Sequence, residues 1–102
     1  MKLSSGFDPH YRDPLASMNV TEAGFAGMAR ELLGVAARVC GGRCVAVLEG
    51  GYDLAAIRSS TEAVLGEFQG AAPDAPAPAA PSRAEPLLVA VRKIQHQYWK
   101  MD

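Results

Sequence analysis

The sequence lacks the features that mark several large classes of protein. Its two cysteines, Cys40 and Cys44, fit neither a CxxC redox pair nor half of a zinc ribbon, so we expect reduced thiols and a cytoplasmic location. The formal net charge of −1 gives no basic field for nucleic acid or an anionic membrane. No apolar run approaches the roughly 18 residues of a membrane span, and the first residues show no secretory segment. We therefore expect neither nucleic acid nor membrane as a partner.

The familiar motifs of several enzyme classes are also missing. The sequence has no phosphate-binding loop and no dinucleotide fingerprint. Ser4 and Ser5 precede Gly6, but they form no Gly-x-Ser-x-Gly elbow and have no partnered histidine. No motif therefore supports nucleotide chemistry or serine-type hydrolysis.

Two short β-compatible segments alternate with two amphipathic segments. Residues 3–7 and the apolar run 43–48 are predicted strands, and the second has no polar alternation, which indicates burial on both faces. A helix is predicted from the N-cap Thr21 to the stop at 41–42, and another over 54–68. The apolar face predicted for the first helix consists of Phe25, Met28, Leu32, Val35 and Val39.

The chain is predicted to have three parts. Residues 1–70 form an α/β unit, residues 71–85 an extended Ala/Pro-rich linker, and residues 86–102 a terminal helix, with Pro86 at its first position. The strand–helix–strand order predicts two parallel strands with a right-handed crossover. Because two strands do not make a stable three-layer sheet, we expect the chain to be part of a larger fold or to assemble with a partner.

The loops after the two predicted strands should meet at one edge of a parallel sheet, where ligands bind. Asp8 could be a metal ligand or general base, or could accept hydrogen bonds from its own turn. Gly50 and Gly51 could admit a substrate close to the backbone or form a tight turn. Tyr52 could donate to an oxyanion or cover the start of the next helix. Spacing alone favours the structural alternative for Asp8 and Tyr52.

Asp8 and His10 also have the spacing of an Asp-x-His metal pair. Pro9 between them restricts the backbone, and a structural loop histidine is the favoured interpretation of His10. His96 falls in the terminal helix and is predicted to lie on the surface.

Four sequence blocks carry a family resemblance: Ser4-Ser5-Gly6-Phe7-Asp8-Pro9-His10, Asp13-Pro14-Leu15, Asn19-Val20-Thr21-Glu22-Ala23-Gly24-Phe25 and Leu48-Glu49-Gly50-Gly51-Tyr52-Asp53-Leu54. They resemble the histone deacetylase family, above all its bacterial class II-like deacetylases, acetoin-utilization proteins and acetylpolyamine amidohydrolases. The resemblance covers residues 3 to about 70, and residues 91–99 are similar to the end of some bacterial members. It implies the C-terminal part of an arginase/deacetylase-type three-layer α/β fold, with a parallel sheet flanked by helices.

The resemblance also implies roles for four residues. Asp8 matches the last of the family's three zinc ligands. Tyr52 matches the tyrosine that polarises the amide carbonyl and stabilises the tetrahedral intermediate, and Gly50 and Gly51 match glycines that line the acyl-lysine channel. The implied reaction is zinc-dependent hydrolysis of acetyl-lysine or acetylpolyamine amides.

The sequence departs from the family by lacking its earlier site motifs. The other two zinc ligands, in an Asp-x-His, and the His-His pair have no counterpart, and the role does not transfer to His10. Because catalytic zinc needs about three protein ligands, we expect the isolated chain to bind no zinc tightly and to be inactive, with the remainder of the catalytic domain as its partner. The alternatives are a non-catalytic α/β remnant acting as a docking module, and a small metal-binding protein using Asp8 and His10.

Overall fold

The fold of this chain comes from a computed structural model that describes residues 1–70 and 82–100. Its elements, in chain order, are β1 (Lys2–Gly6), α1 (Glu22–Cys40), β2 (Val45–Gly50), α2 (Leu54–Phe68), a 3₁₀ turn (Ser82–Ala84) and α3 (Glu85–Gln95). The predicted order of strands and helices is confirmed, with the boundaries of β1, α1, β2 and α2 within about two residues of those expected. None of these helices combines the length and hydropathy needed to cross a bilayer.

The end of the predicted linker is already helical. Residues 71–81 lie outside the described residues, but the 3₁₀ turn occupies 82–84, and α3 begins at Glu85. Pro86 therefore takes the second helical position, where its missing N–H group costs no hydrogen bond. α3 also ends earlier than its pattern predicted. Beyond it the amides of Gln97 and Tyr98 donate to carbonyls three residues back, at 3.2 and 2.9 Å. His96 is exposed, as predicted.

Local side-chain chemistry sets the helix boundaries. Thr21 caps α1, its Oγ1 accepting from the Gly24 amide at 3.3 Å, which confirms the predicted N-cap. At the other end Gly41 adopts a left-handed φ of 61°, and the Gly42 amide donates to the Ala36 carbonyl at 3.1 Å. Many helices end in this way, with a left-handed glycine followed by an amide that donates to a carbonyl in the last turns of the helix.

The two strands are parallel neighbours with one irregularity. Lys2 pairs with Val45, and the pairing continues in step to Ser5 opposite Leu48. The register then slips, so that Gly6 pairs with Gly50 and β2 carries one extra residue in a bulge. As a result, glycine faces glycine where both strands end.

Both α1 and α2 pack on the same face of the two-stranded sheet. Ser5 and Phe7 line grooves that include residues of α1 on one side and of α2 on the other. Phe7 and Phe25 contact edge to face, with ring centroids 5.1 Å apart. The buried apolar residues are Phe7, Phe25, Ala29, Ala36 and Ala56. The core therefore lies between this sheet face and the two helices.

The apolar face predicted for α1 is only partly buried. Phe25 is buried, but Met28, Leu32 and Val39 are at least 40% exposed, and the buried stripe runs instead through small residues. The alanines of this stripe, Ala29 and Ala36, let α2 approach closely. The described part of the chain covers the larger apolar residues only in part.

The prediction that β2 is buried on both faces is wrong for this chain. Val45 and Leu48 are more than half exposed, and Val47 is 39% exposed. The apolar run has the composition of a strand covered twice, but the described residues supply helices on one face only, and Leu48 on that face is itself incompletely covered. Several apolar residues of α3, among them Leu87 and Ile94, are also more than half exposed. These surfaces are of the kind that further layers of a larger fold bury.

An ion pair joins α1 to α2. Arg30 donates from Nε to Glu67 Oε2 at 3.0 Å and from a second nitrogen to Oε1. The hydrogen bonds from Arg30 hold the pKa of Glu67 below its ordinary value of 4.5. Because this pKa is depressed, the pair stabilises the fold above that value, and its contribution is lost as pH falls through the lowered pKa.

We expect Glu67→Gln to lower the free energy of unfolding at neutral pH and to make almost no difference at a pH well below the lowered pKa, where Glu67 has lost its charge. Urea unfolding of both proteins at the two pH values measures this. A difference in unfolding free energy of the same size at both pH values would show that the charge on Glu67 contributes nothing to stability.

Candidate functional site

Asp8 follows β1 directly, and its carboxylate lies against two glycines. A Cβ atom at Gly6 or at Gly50 would be 2.8 Å from Asp8 Oδ1, closer than such atoms approach without a shift. Glycine at both positions therefore makes room for the carboxylate across the bulged strand ends. The register slip and the two glycines together form a cradle for one carboxylate.

Asp8, Gly50 and Tyr52 line one open cavity of about 420 Å³. The other lining residues are Ser4, Gly6, Leu15, Ala16 and Glu49. Tyr52 is 65% exposed, so its phenol is accessible from the cavity. The two loops predicted to meet at one sheet edge do meet there, with a carboxylate and a phenol beside the same space.

Gly51 is required for a different reason from Gly50. Its φ of 126° lies in a region that side chains rarely adopt, and a Cβ would be 2.9 Å from Ile57 Cγ1 and 3.2 Å from Phe7 Cβ. Close packing of this loop on the core explains the glycine, and Gly51 is not among the residues lining the cavity. Its role in substrate binding stays a prediction.

Asp13 connects the loop after β1 to the backbone of Tyr52. Its side chain is buried, Oδ2 accepts from the Tyr52 amide at 2.7 Å, and Oδ1 accepts from the Leu15 amide at 2.9 Å. The sequence showed Asp13 only as part of an Asp-Pro-Leu block and gave it no function. A carboxylate before a proline in the loop beside the site was the available signal.

The neighbouring pair, Arg12 and Asp53, makes a second link between the same loops. Arg12 Nε donates to Asp53 Oδ1 at 3.3 Å, and the same oxygen caps α2 by accepting from the Ala56 amide at 2.8 Å. The Ala56 amide above all, and then Arg12, hold the pKa of Asp53 below its ordinary value of 3.8. Residues 52 and 53 are thus each held by a side chain from the loop after β1.

His10 is a structural histidine, as its position after Pro9 favoured. It is fully buried, and its Nδ1 accepts from the Arg12 amide at 3.1 Å. A neutral ring therefore carries its proton on Nε2, which lies 3.2 Å from Glu22 Oε1 without forming a well-aligned hydrogen bond. The ring stacks on Tyr11, with centroids 4.3 Å apart. His10 lines no part of the cavity and does not pair with Asp8 as a metal ligand.

The carboxylates that line the cavity, Asp8 and Glu49, do not by themselves make a complete zinc site. Asp8 supplies an oxygen donor of a kind that zinc accepts. Within residues 1–70 and 82–100, no group of three or more His, Cys, Asp or Glu side chains is placed to hold a metal ion. The residues present fit zinc only if further ligands come from elsewhere.

The fold and the site together define a class of protein. Parallel strands, helices packed on the sheet, and chemically active side chains in the loops after both strands are typical of an α/β protein that binds its ligand at the carboxyl edge of the sheet. Residues 2–68 match the histone deacetylase domain. This chain belongs to the histone deacetylase family.

Known members show how much of the family's domain the chain spans. Histone deacetylase 14, chloroplastic, of Arabidopsis thaliana is 45% identical over 69 residues, 64% of this chain and 16% of that protein. The histone deacetylase-like amidohydrolase of Pseudomonas aeruginosa is 40% identical over 68 residues, 67% and 18% respectively. The solved structure of the histone deacetylase Clr3 superposes with a TM-score of 0.81 at 33% identity, covering 97% of this chain and 16% of that one. The chain therefore carries part of an arginase/deacetylase-type fold, as expected, and spans less than a fifth of these proteins.

A complete domain can be assembled around these residues for experiments. In what we call the hybrid domain, residues 2–68 replace the segment they match in the Pseudomonas aeruginosa amidohydrolase. Variants of this chain's residues can then be assayed in the context of a whole domain.

We expect Gly50→Ala to displace the Asp8 carboxylate without straining the backbone. The added methyl group would lie 2.8 Å from Asp8 Oδ1 and 3.6 Å from the Gly6 Cα atom. If Asp8 is a zinc ligand, as the family resemblance implies, zinc content and amide hydrolysis of the hybrid domain should fall together, by about 10- to 100-fold, as when the support of a metal ligand is lost.

Gly66→Ala is the matched control for this change. Gly66 lies in α2, and a Cβ there meets nothing within 4 Å, so alanine should stabilise the helix by about 0.5–1 kcal/mol and leave zinc content unchanged. Full zinc content in Gly50→Ala would show that the cradle does not position Asp8.

Proposed function

We propose that this chain supplies one zinc ligand and the oxyanion donor of a zinc-dependent deacetylase site. The observation that carries the proposal is the cavity lined by both Asp8 and Tyr52 at the carboxyl ends of the two strands, in a chain of the histone deacetylase family. Asp8 is the proposed ligand and Tyr52 the proposed donor. Gly50 and Gly51 are proposed to line the channel for the acylated side chain.

The proposed reaction is hydrolysis of an acetamide on a lysine or a polyamine, which releases acetate and the free amine. Zinc, when bound, polarises the amide carbonyl and activates water. Asp8 contributes an oxygen donor held in place by Gly6 and Gly50. The Tyr52 hydroxyl donates a hydrogen bond to the amide oxygen as negative charge develops on it.

The remainder of a catalytic domain is the proposed partner of this chain. Zinc needs about three protein ligands, and the general base must also come from outside the described residues. The short span of the relatives that this chain covers and the exposed face of β2 support this partner. We propose that the isolated chain binds no zinc tightly and hydrolyses no amide. A cytoplasmic location belongs to the same proposal, supported by the two free cysteines.

Exposed apolar residues on α3, among them Leu87 and Ile94, favour a second proposal, that of a non-catalytic docking module. The two proposals differ in what the isolated chain does. A docking module is a stable, monomeric, zinc-free protein by itself, whereas a part of an active site exposes apolar surface and associates. Light scattering and zinc analysis of the purified chain separate them.

The hybrid domain tests the proposed chemistry directly. Purified with zinc, it should hydrolyse an acetyl-lysine peptide, an acetylated polyamine or both, lose activity with a chelator and regain it with zinc. The isolated chain should neither bind zinc tightly nor hydrolyse either substrate. A folded, zinc-loaded hybrid domain that hydrolyses no acetylated amine would overturn the proposal, and so would stoichiometric zinc in the isolated chain.

A further inference from the structure

We propose that Asp13 is a positioning residue for Tyr52, an inference that rests on the proposed role of the Tyr52 hydroxyl. Asp13 is 6% exposed, and within residues 1–70 and 82–100 the ion pairs involve other side chains. Burying a carboxylate without a cation is costly unless hydrogen bonds compensate. The hydrogen bonds that Asp13 accepts must therefore offset the cost of burying its carboxylate.

Both oxygens of Asp13 are occupied by backbone amides. Oδ2 accepts from Tyr52 at 2.7 Å, within the range of a charge-assisted hydrogen bond, and Oδ1 accepts from Leu15 at 2.9 Å. The amide of Asp13 itself donates to the His10 carbonyl at 2.9 Å. Hydrogen bonds thus hold both the backbone and the carboxylate of Asp13 in place, and one of the two carboxylate oxygens accepts from Tyr52.

Within residues 1–70 and 82–100, Asp13 makes the one side-chain hydrogen bond to Tyr52. The Tyr52 ring is 65% exposed, so packing does not hold the phenol. The residue before it, Gly51, has the unusual φ of 126°, which turns the chain sharply just ahead of Tyr52. The other link between the loops, from Arg12 to Asp53, is an ion pair with a half-exposed arginine, and such pairs contribute little. The Asp13 carboxylate therefore adds a direct hydrogen bond to Tyr52, between the close packing of Gly51 on the core and the capping of α2 by Asp53. Together these contacts fix where the Tyr52 backbone, and the phenol it carries, lies.

A constraint of this kind affects the transition state more than substrate binding. The Tyr52 hydroxyl acts where charge develops on the amide oxygen, and a displacement of about 1 Å in such a group costs up to roughly 100-fold in rate. A purely structural role for Asp13 predicts something else, namely a less stable protein whose properly folded fraction works at the normal rate. Kinetics and spectroscopy can separate these two outcomes.

Asp13→Asn is the informative variant, because it preserves the shape of the side chain. Asparagine keeps one carbonyl oxygen, but its NH₂ group then faces one of the two amides that Asp13 accepts from. In the hybrid domain, the amide proton resonance of Tyr52 should move upfield in Asp13→Asn, because the bond to a charged acceptor is lost. Glu67→Gln, which removes an ion pair away from the cavity, should leave that resonance in place. An unchanged Tyr52 amide in Asp13→Asn would overturn the proposal.

The hybrid domain supplies the functional readout. Asp13→Asn should lower kcat by about 10- to 100-fold, with KM within about threefold and zinc content unchanged. In a Tyr52→Phe background, the same change should cost less than about threefold, because the hydroxyl that Asp13 positions is gone. Glu67→Gln should leave kcat unchanged in both backgrounds.

The outcomes separate the inference from the function on which it rests. If Tyr52→Phe alone does not slow hydrolysis, the proposed role of Tyr52 fails, and the positioning role fails with it. If Tyr52→Phe slows hydrolysis but Asp13→Asn costs the same factor in both backgrounds, only the positioning role is overturned. Loss of zinc in Asp13→Asn would also overturn it, since the effect would then pass through the metal rather than through Tyr52.

Discussion

Asp8→Ala should remove both zinc and amide hydrolysis from the hybrid domain. Asp8 supplies the only ligand that this segment is proposed to contribute, and alanine leaves the cradle formed by Gly6 and Gly50 empty of any donor. Loss of an outer-sphere partner alone costs about 10- to 100-fold in metal affinity, so loss of a ligand should cost more than about 100-fold. Zinc analysis after dialysis, together with turnover of an acetyl-lysine peptide, measures both quantities.

Two further variants make the Asp8 result specific. Asp8→Asn keeps the size of the side chain but replaces an anionic donor by a neutral one, and it should also weaken zinc binding. Glu62→Ala removes an exposed carboxylate from α2 and should change neither zinc content nor rate, as expected for a surface site. An Asp8→Ala domain that keeps its zinc would exclude Asp8 as a ligand.

Tyr52→Phe should slow hydrolysis by about 100- to 1,000-fold while zinc content stays unchanged. The substitution removes one hydroxyl and leaves the ring, so the cavity keeps its shape. Removal of a single oxyanion donor costs about that factor in turnover in other enzymes. Because the hydrogen bond is proposed to strengthen only as charge develops, kcat should fall and KM should change little.

Tyr11→Phe is the matched control for Tyr52→Phe. Tyr11 is also about half exposed and lies in the loop after β1, but it stacks on His10 and does not line the cavity. The same chemical change there should leave turnover unaffected. If both variants behaved alike, the hydroxyl of Tyr52 would have no special place in the reaction.

The helices and strands were predictable because their signals are local. Thr21 caps α1 through an amide three residues away, and Gly41 ends the helix by its own backbone conformation. The register slip between Ser5 and Gly6 was not predictable in this way. It depends on how two strands far apart in sequence pair, and a one-residue bulge leaves no mark in the pattern of either.

The candidate site was predictable to the extent that topology alone positions it. Asp8 and Tyr52 follow parallel strands, and parallel strands end at one edge, so their loops had to meet. The hydrogen bond from Tyr52 to Asp13 could not be predicted from residue types, because the donor is a backbone amide, and every residue other than proline has such an amide. The burial of β2 was mispredicted because an apolar run such as Val45–Leu48 reflects the environment in a complete fold.

The open face of the sheet has a consequence for the life of this polypeptide in a cell. Val45 and Val47 are exposed on a sheet that has two strands within the described residues. Each strand leaves one edge unpaired there, and unpaired edges bind readily to other chains. Made without the layers that cover it, the polypeptide would be a client for chaperones and a target for proteases. Its lifetime would then depend less on its own folding than on how soon it meets the rest of a domain.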